Sequence, residues 1–380
     1  LSSNLTQKIS RKFSLRAGFL AETYNIGSYE LKAANQQNEY VDSFEMLTVL
    51  SQLHAQTLWK PNRKLVLSFG VNAQHLLMNN KISVEPKFSL RWFIANRHSL
   101  FIAVGIYNQM QPWQVYGFEQ RTVNTISGQP QVERPFIDAP FINGRHYFYG
   151  YEFVVSESWR IRADVFNRSI RNFMADSINP AIATANLGGV DAYPITSAML
   201  PSIITLNAGG EITIEKFFDR GYYMVGNISY LFSRYQSKTK LYNSPLYISP
   251  FGDGLSAQIL IGKEFRLGDR NRMTIDLRAN YKGSQHGFGV DTLASANAGI
   301  TVYDYASGTS KLKDYFRADV KVGFVFNGKA GKVSHWFFLD FINVANYKNT
   351  NANYYDNFSG MVNPIYQRPL SVDIFYQVRF

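Results

Sequence analysis

The sequence predicts an all-β fold, a transmembrane antiparallel β-barrel, from three observations. Long segments alternate apolar and polar residues with a period of two, as strands with one apolar and one polar face do. The connections between these segments are alternately short and long. Most of the tryptophans lie close to the short connections.

Composition narrows the class of protein before any segment is considered. Of 380 residues, 39 are Lys or Arg and 28 are Asp or Glu, which gives a net charge of +11. Only 18% are charged, against about 25% in soluble domains. The chain has no cysteine, which excludes a disulfide framework and Cys-based metal sites. No stretch approaches 18 consecutive apolar residues, so a membrane-spanning helix is excluded. The positive charge leaves two partners open, nucleic acid or an anionic membrane surface.

The alternation is clear in 273–282, where Met273, Ile275 and Leu277 point to one face and Asp276 and Arg278 to the other. Fifteen segments of this kind follow one another: 1–8, 13–24, 44–59, 64–76, 81–95, 99–110, 145–155, 159–173, 207–216, 222–236, 254–266, 272–284, 313–327, 333–346 and 369–380. Most are longer than the roughly five or six residues of an average soluble strand. A tilted membrane strand needs about 9–11 residues, so length favours a membrane barrel over a sandwich.

The connections support the same architecture. The short ones are 10–12, 61–63, 96–98, 156–158, 219–221, 268–270 and 328–331, and the others are 25–43, 77–80, 111–144, 174–206, 237–253, 285–312 and 347–368. Six of the second group have 17 residues or more. Membrane barrels combine short periplasmic turns with long external loops, which is this pattern. Pro86 lies inside a predicted strand and predicts a bulge there.

Tryptophan placement predicts where the membrane surfaces lie. Trp59, Trp92, Trp159 and Trp336 lie near short turns, and Trp113 begins a long loop. Such positions are typical of the aromatic belts at the two membrane interfaces. The alternative is ordinary packing of aromatic side chains at strand ends.

The charge is distributed unevenly between the two ends of the predicted barrel. The long connections together carry −4, whereas the short turns with their immediate flanks carry +12. A ring of positive charge at one membrane face suits anionic lipid headgroups better than a nucleic acid, which would need a groove across strands and loops.

Several segments resemble a known family. They are Tyr149–Glu152 with Ser156–Ala163, Gly209–Lys216 with Gly221–Tyr223, Phe316–Asp319, and Leu339–Asn346. These hairpins resemble those in the barrel of Bacteroidetes TonB-dependent outer-membrane receptors, over about 145–380 closely and over 1–144 only in style. The terminal Phe380 is similar to the aromatic end by which barrels of this kind are recognised for assembly.

The resemblance implies a 22-stranded barrel filled by an N-terminal plug, and a plugged lumen is general for barrels of that size. Residues 1–380 would then be a single partial barrel domain, the last fifteen or so strands. An odd strand number points the same way, because closed bacterial barrels have an even number. We therefore expect the plug, the first strands and the TonB-contacting segment to precede Leu1.

The function implied by the resemblance is import of a scarce ligand across the outer membrane of a Gram-negative bacterium, energised through TonB. Two alternatives stay open: a structural or repurposed barrel subunit of an outer-membrane complex, and a passive porin. The expected partners are outer-membrane lipid and TonB, and no nucleic acid. The sequence leaves the ligand's identity open.

Catalytic and metal motifs are not found. The six histidines form no HExxH pair, and there is no GxSxG elbow and no P-loop. We therefore expect no enzyme activity, no cofactor and no metal.

Ligand binding is expected on the long loops, because aromatic and arginine side chains are the usual binding anchors. The candidates are Trp113, Tyr116, Arg121, Arg134, His286, Tyr354 and Tyr355. The alternative for these residues is loop packing.

Two further expectations concern orientation and a partner. Loop 174–206 is unusually apolar, which indicates either a cover over the barrel mouth or a contact with a partner such as a surface lipoprotein. On the strands, Arg278, Asp276, Arg317 and Asp319 should point inward, and Leu277 should face lipid.

Overall fold

The structure is a computed structural model that describes residues 1–34, 38–123, 130–186, 195–239, 243–250, 252, 254–283, 286–328 and 333–380, with the side chains of 28–44 and 121–131 excepted. Fifteen long strands form one antiparallel sheet in which each strand pairs with the next. They are β1 (Ser2–Lys8), β2 (Phe13–Ala34), β3 (Asn38–Asn62), β4 (Leu65–Leu76), β5 (Lys81–Ala95), β6 (His98–Gln109), β9 (Ile142–Ser156), β10 (Trp159–Asp176), β11 (Met199–Asp219), β12 (Tyr222–Ser237), β14 (Gly254–Leu267), β15 (Asn271–Lys282), β18 (Tyr315–Asn327), β19 (Ser334–Ile342) and β22 (Ser371–Arg379).

The remaining elements lie in the long connections. Three hairpins are formed by β7 (Gln120–Val123) with β8 (Pro130–Glu133), β16 (His286–Val290) with β17 (Tyr303–Lys311), and β20 (Thr350–Asp356) with β21 (Met361–Tyr366). A two-residue strand, β13 (Tyr247–Ile248), pairs with β12. The helices are α1 (Trp113–Tyr116) and α2 (Thr292–Ala298), with 3-10 turns at Leu77–Asn79 and Thr184–Asn186. Among the described residues, no helix has the length and apolar character needed to cross a membrane.

Each of the fifteen predicted segments coincides with one long strand, and the short turns alternate with the long connections as predicted. The prediction that 25–43 is a loop is wrong, however. β2 and β3 stay paired from Phe13↔Trp59 to Ala34↔Asn38. Paired strands can continue their backbone hydrogen bonds without a buried face to support them.

The predicted bulge at Pro86 is also wrong. The pairing of β4 with β5 is continuous through Val71↔Pro86. On the other side, β5 and β6 stop pairing at Lys87↔Gly105. Pro86 therefore needs no backbone donor toward β6, because β6 has already separated from β5 at that residue.

Burial on the two faces of the sheet is the reverse of that in a soluble protein, since apolar side chains are exposed on one face and charged side chains are buried on the other. Leu53 and Ile228, in the middle of their strands, are 65% and 59% exposed, whereas Asp164 and Asp319 on the opposite face are only 2% and 4% exposed. We call the first the apolar face and the second the polar face. This inversion is what a hydrocarbon environment outside and a polar interior require.

The aromatic belt is confirmed for three tryptophans and wrong for two. Trp59, Trp92 and Trp159 lie on the apolar face close to short turns, since each alternates with polar-face residues of its own strand. Trp336 lies on the polar face, where the guanidinium carbon of Arg379 is 4.1 Å from its ring centre. Trp113 packs against buried side chains at the end of the sheet where the long connections lie. The distance of a tryptophan from a turn does not show on which face of the sheet its side chain lies, because successive residues of a strand point to opposite faces.

Candidate functional site

The polar face carries a charged cluster where β15, β18 and the end of β19 meet. Asp319 accepts hydrogen bonds from Arg278 Nε at 3.0 Å and Arg317 Nε at 2.8 Å. Its Oδ1 also accepts the backbone N–H of Asn343 at 2.8 Å. Asn343 has a left-handed φ of 53°, which asparagine tolerates, and it directly follows the last residue of β19. The prediction that both arginines and Asp319 share one face, with Leu277 exposed on the other, is confirmed.

A second cluster spans β5, β9, β10 and β11. Arg91 NH2 lies 2.5 Å from Glu152 Oε1, and Arg160 NH1 lies 3.6 Å from Glu152 Oε2. Arg160 also pairs with Glu215. Charges of alternating sign, supplied by four strands, therefore cross the sheet from β5 over β6 to β11 near the short-turn end. This cluster was not predicted from the sequence, although charged residues at every second position of these strands could have indicated it.

A third cluster surrounds the buried carboxylate of Glu85. It accepts the backbone N–H of Asn108 at 2.7 Å, Asn72 Nδ2 at 3.2 Å and Lys87 Nζ at 3.0 Å. Glu85 lies where β6 separates from β5, so its side chain replaces a strand as the acceptor for Asn108. This cluster, like the second, was not predicted, because the sequence does not show where two neighbouring strands diverge.

The loop between β6 and β9 folds onto the polar face just beyond Glu85. Val115 and Tyr116 of α1 are fully buried in a cluster with Leu50, Leu76 and Met174. Leu50 and Leu76 are direct partners on β3 and β4, on the same face as the polar clusters. The loop therefore covers part of the polar face at the long-loop end of the sheet.

The structure locates four of the predicted ligand-binding residues in this loop. The Trp113 ring is 5.1 Å from that of Tyr24, and the Tyr116 hydroxyl accepts the backbone N–H of Gln111. Burial raises the pKa of Tyr116. Tyr116 thus contributes packing and has no exposed surface to offer a ligand. Arg134 NH2 pairs with Glu119 at 2.9 Å, and the side chain of Arg121 lies outside the described residues.

The other three candidates lie in a second group of loops. His286 begins β16, paired with Lys311 of β17. Tyr354 and Tyr355 are consecutive residues of β20, so their side chains point to opposite faces of that strand. The Tyr355 N–H donates to Thr301 Oγ1 at 3.0 Å. Tyr303 Oη donates to the Asn353 carbonyl at 3.0 Å, so the two hairpins hold one another.

Segment 174–206 lies between the two loop groups. Met174 packs with α1, while Asn179 Nδ2 donates to the Ala306 carbonyl at 3.2 Å. Asn186, fully buried, donates to Tyr235 Oη at 2.7 Å. The loop prediction is wrong at both ends of this segment, since β10 runs to Asp176 and β11 begins at Met199. The described part between these strands packs on the sheet, as a cover over the barrel mouth would. Residues 187–194, with Leu187 and Val190, lie outside the described residues.

Metal binding has no candidate in the part of the chain that the structure describes, since no three His, Asp or Glu side chains gather there. The polar face instead offers buried carboxylates with arginine partners, and the loops above it offer aromatic and arginine side chains. Such a lining suits noncovalent binding of a polar or aromatic ligand or of a protein domain.

Comparisons with known proteins identify the fold. No family model and no curated protein matches the chain. Among solved structures, the whole chain aligns with the ferric enterobactin receptor PfeA from Pseudomonas aeruginosa, at a TM-score of 0.62 and 12% identity over 52% of that protein. The ferric preacinetobactin receptor BauA from Acinetobacter baumannii gives 0.61 and 11% over 53%, and the outer membrane transporter YddB from Escherichia coli gives 0.60 and 13% over 53%, again for the whole chain.

These likenesses show that the chain has the antiparallel barrel fold of outer-membrane receptors. It spans about half the length of the solved structures it matches. A Bacteroidetes origin stays a prediction from the resemblance.

Proposed function

We propose that this chain is the barrel part of a TonB-dependent outer-membrane receptor that imports a scarce ligand. The observation that carries the proposal is the inverted sheet with a loop on its polar face. Exposed Leu53 and Ile228 suit lipid, whereas Asp164, Glu85 and Asp319 suit a filled polar lumen. The β6–β9 loop lies at the mouth of that lumen, where an incoming ligand would meet it first.

The sheet edges support further strands and a plug. Within the described residues, β1 pairs only with β2 and β22 pairs only with β19. In an antiparallel sheet of fifteen strands these two edge strands run in the same direction. An odd number of further strands is then needed to close the barrel, and seven would give 22, the size that holds a plug. We propose that these strands, the plug and the TonB-contacting segment belong to the same receptor.

The ligand class that we infer is a ferric siderophore. PfeA is a ferric enterobactin receptor and BauA a ferric preacinetobactin receptor, and both share this fold. In this chain, Trp113, Arg134 and Tyr354 keep part of their side chains exposed on the loops above the polar face. Aromatic and arginine side chains of this kind can bind a ligand by ring stacking and by charge.

Uptake by the native organism tests the proposal. Strains with and without this gene are grown under iron limitation and given 55Fe-loaded enterobactin and preacinetobactin. We expect accumulation of at least one to require both the gene and an active TonB system. Gene-dependent accumulation that persists without TonB would indicate a passive porin.

A structural role has a different signature. If deletion leaves uptake of both compounds unchanged but dissociates an outer-membrane complex that co-purifies with the chain, the barrel is a structural subunit and the import proposal is wrong.

A further inference from the structure

The apolar face carries a groove that crosses β11, β12, β14, β15 and β18. It has a volume of about 360 Å3. Small residues form its floor, with Gly226, Ala257 and Ala279 on three neighbouring strands. Ile212 and Phe316 stand at its two sides. A Cβ built on Gly226 would meet no atom within 4 Å, so the groove is open above this residue.

Two lysines lie on the same face beyond the short-turn end of the groove. Along β12, Gly226 is followed toward the turn by Met224 and Tyr222, which pair with Lys216 and Lys263 respectively. Tyr222 is four residues from Gly226, roughly 13 Å along a strand. The ammonium groups of Lys216 and Lys263 lie 4.5 and 5.5 Å from the centre of the Tyr222 ring.

The two lysines differ in whether their ammonium groups are available to bind a ligand. Lys216 is 3% exposed, and its Nζ donates to the Phe217 carbonyl at 2.9 Å and lies 3.5 Å from Asp219 Oδ2. Lys263 is exposed, and no carboxylate of the described residues comes within ion-pair distance of it. Lys263 is therefore the cation that can bind an anion, while Lys216 adds positive charge beside the same ring.

The position of the lysines matches the level of lipid headgroups. Trp159 pairs with Lys216 across β10 and β11, on the apolar face. Tryptophan and tyrosine concentrate at the membrane interface, and lysine extends its ammonium group toward headgroups from an apolar stem. From just beyond this level the groove runs into the hydrocarbon region, and its lining is mostly apolar, which suits an acyl chain.

We propose that this surface binds one anionic phospholipid of the inner leaflet, with an acyl chain over Gly226 and the phosphate at Lys263. The site rests on the membrane location proposed above and is independent of import. Charge complementarity selects an anionic headgroup, and the apolar floor selects a lipid over a soluble phosphate. The Tyr222 ring holds both ammonium groups at the place where the phosphate would lie.

Native mass spectrometry of the full-length, detergent-solubilised receptor tests the site. The protein is titrated with phosphatidylglycerol or with phosphatidylcholine of identical acyl chains. We expect one phosphatidylglycerol to bind in preference to phosphatidylcholine. Lys263→Gln should weaken phosphatidylglycerol binding about fivefold, the effect of one lysine at a membrane surface, and leave phosphatidylcholine unchanged. Gly226→Leu, which fills the groove, should weaken the binding of both lipids.

Matched variants give the controls. Lys64→Gln removes an exposed lysine at another short turn, and Ala55→Leu enlarges a small apolar-face residue away from the groove. Neither should change lipid binding, and soluble glycerophosphoglycerol should not compete. If Lys64→Gln weakens binding as much as Lys263→Gln, or if Gly226→Leu has no effect, the specific site is wrong. Competition by the soluble headgroup would replace the lipid by a free phosphate ligand.

Failure of this proposal is distinguishable from failure of the proposed function. A receptor that binds phosphatidylglycerol as expected but takes up no ferric siderophore contradicts import alone. Uptake that depends on the gene, without selective lipid binding, contradicts the lipid site alone.

Discussion

Tyr223 Oη donates a hydrogen bond of 2.8 Å to Asp276 Oδ1 although the two residues lie on strands that are not neighbours. The strand between them places Gly262 directly beneath the bond, in the register Tyr223↔Gly262↔Asp276. A Cβ at Gly262 would collide with both partners. Asp164 of β10 also lies over a glycine, because a Cβ on Gly150 of β9 would collide with its Oδ1. Glycine inside these strands therefore allows polar side chains to cross over the backbone.

Replacing Gly262 by alanine should destabilise the barrel by about 1–3 kcal/mol, the usual cost of overpacking, since Tyr223 or Asp276 must move. Urea unfolding of the protein in detergent micelles measures the change. Gly226→Ala is the matched control on the adjacent strand, where a Cβ meets no atom, and its effect should stay within about 0.5 kcal/mol. Equal losses in the two variants would show that the effect comes from glycine itself and not from the crossing.

Asp319→Ala should cost about 1–3 kcal/mol, because it removes the buried acceptor of Arg278, Arg317 and the Asn343 N–H, while both arginines stay partly exposed to solvent. The same unfolding measurement applies. Asp373→Ala removes the acceptor of an exposed arginine pair with Arg368 and should cost at most about 1 kcal/mol. A small effect of Asp319→Ala would mean that water replaces the carboxylate and that the cluster is more open than its geometry indicates.

The strands and their faces were predictable from sequence, because alternation is a local property that a long strand repeats many times. Leu277 and Asp276 illustrate this, since alternation along their own strand assigns each to a face without any knowledge of the neighbouring strands. Tyr116 and Glu85 illustrate what was not predictable. Tyr116 is aromatic and lies in a loop, as a ligand contact would, and only the packing of α1 on Leu50 and Leu76 buries it.

The separation of β5 from β6, which places Glu85 opposite Asn108, depends on how strands diverge in space. The extension of the β2–β3 hairpin depends on backbone pairing alone. Neither the separation of β5 from β6 nor the extension of the β2–β3 hairpin produces a repeating pattern of residue types. Neither could therefore be predicted from the sequence.

Leu277→Lys should destabilise the membrane-inserted barrel by about 2–4 kcal/mol, since it places a charge on the apolar face. Gln258→Lys puts the same charge on the polar face of the neighbouring strand and should be tolerated. The heat-dependent shift of folded barrels on gels, together with unfolding in lipid vesicles, measures both variants. The opposite order of stability would show that the faces are reversed, with the polar clusters toward lipid.

Acid should weaken the turn that begins at Asp176, the last residue of β10. Asp176 lies seventeen residues beyond Trp159, which is near the short-turn side, so the turn lies outside the membrane-spanning part of the strand. Asp176 Oδ1 accepts the backbone N–H groups of Ile178 and Asn179 at 2.7 and 2.8 Å, and Oδ2 accepts the Thr196 hydroxyl. Burial alone would raise the pKa of Asp176, but these hydrogen bonds outweigh it and hold the pKa below its ordinary value of 3.8. The carboxylate then stabilises the fold fully above pH 3.8 and loses that contribution as the pH falls through the lowered pKa.

The difference in unfolding free energy between the natural protein and Asp176→Asn should therefore be largest and constant from pH 5 to 7, and should shrink toward pH 3. Thr196→Val, which removes one donor and keeps the charge, should bring the pKa back toward 3.8 and give a smaller pH dependence. Urea unfolding at each pH supplies the comparison. If the difference stays constant down to pH 3, charge plays no part in these hydrogen bonds, and the segment between β10 and β11 is held on the barrel mouth by its apolar contacts alone.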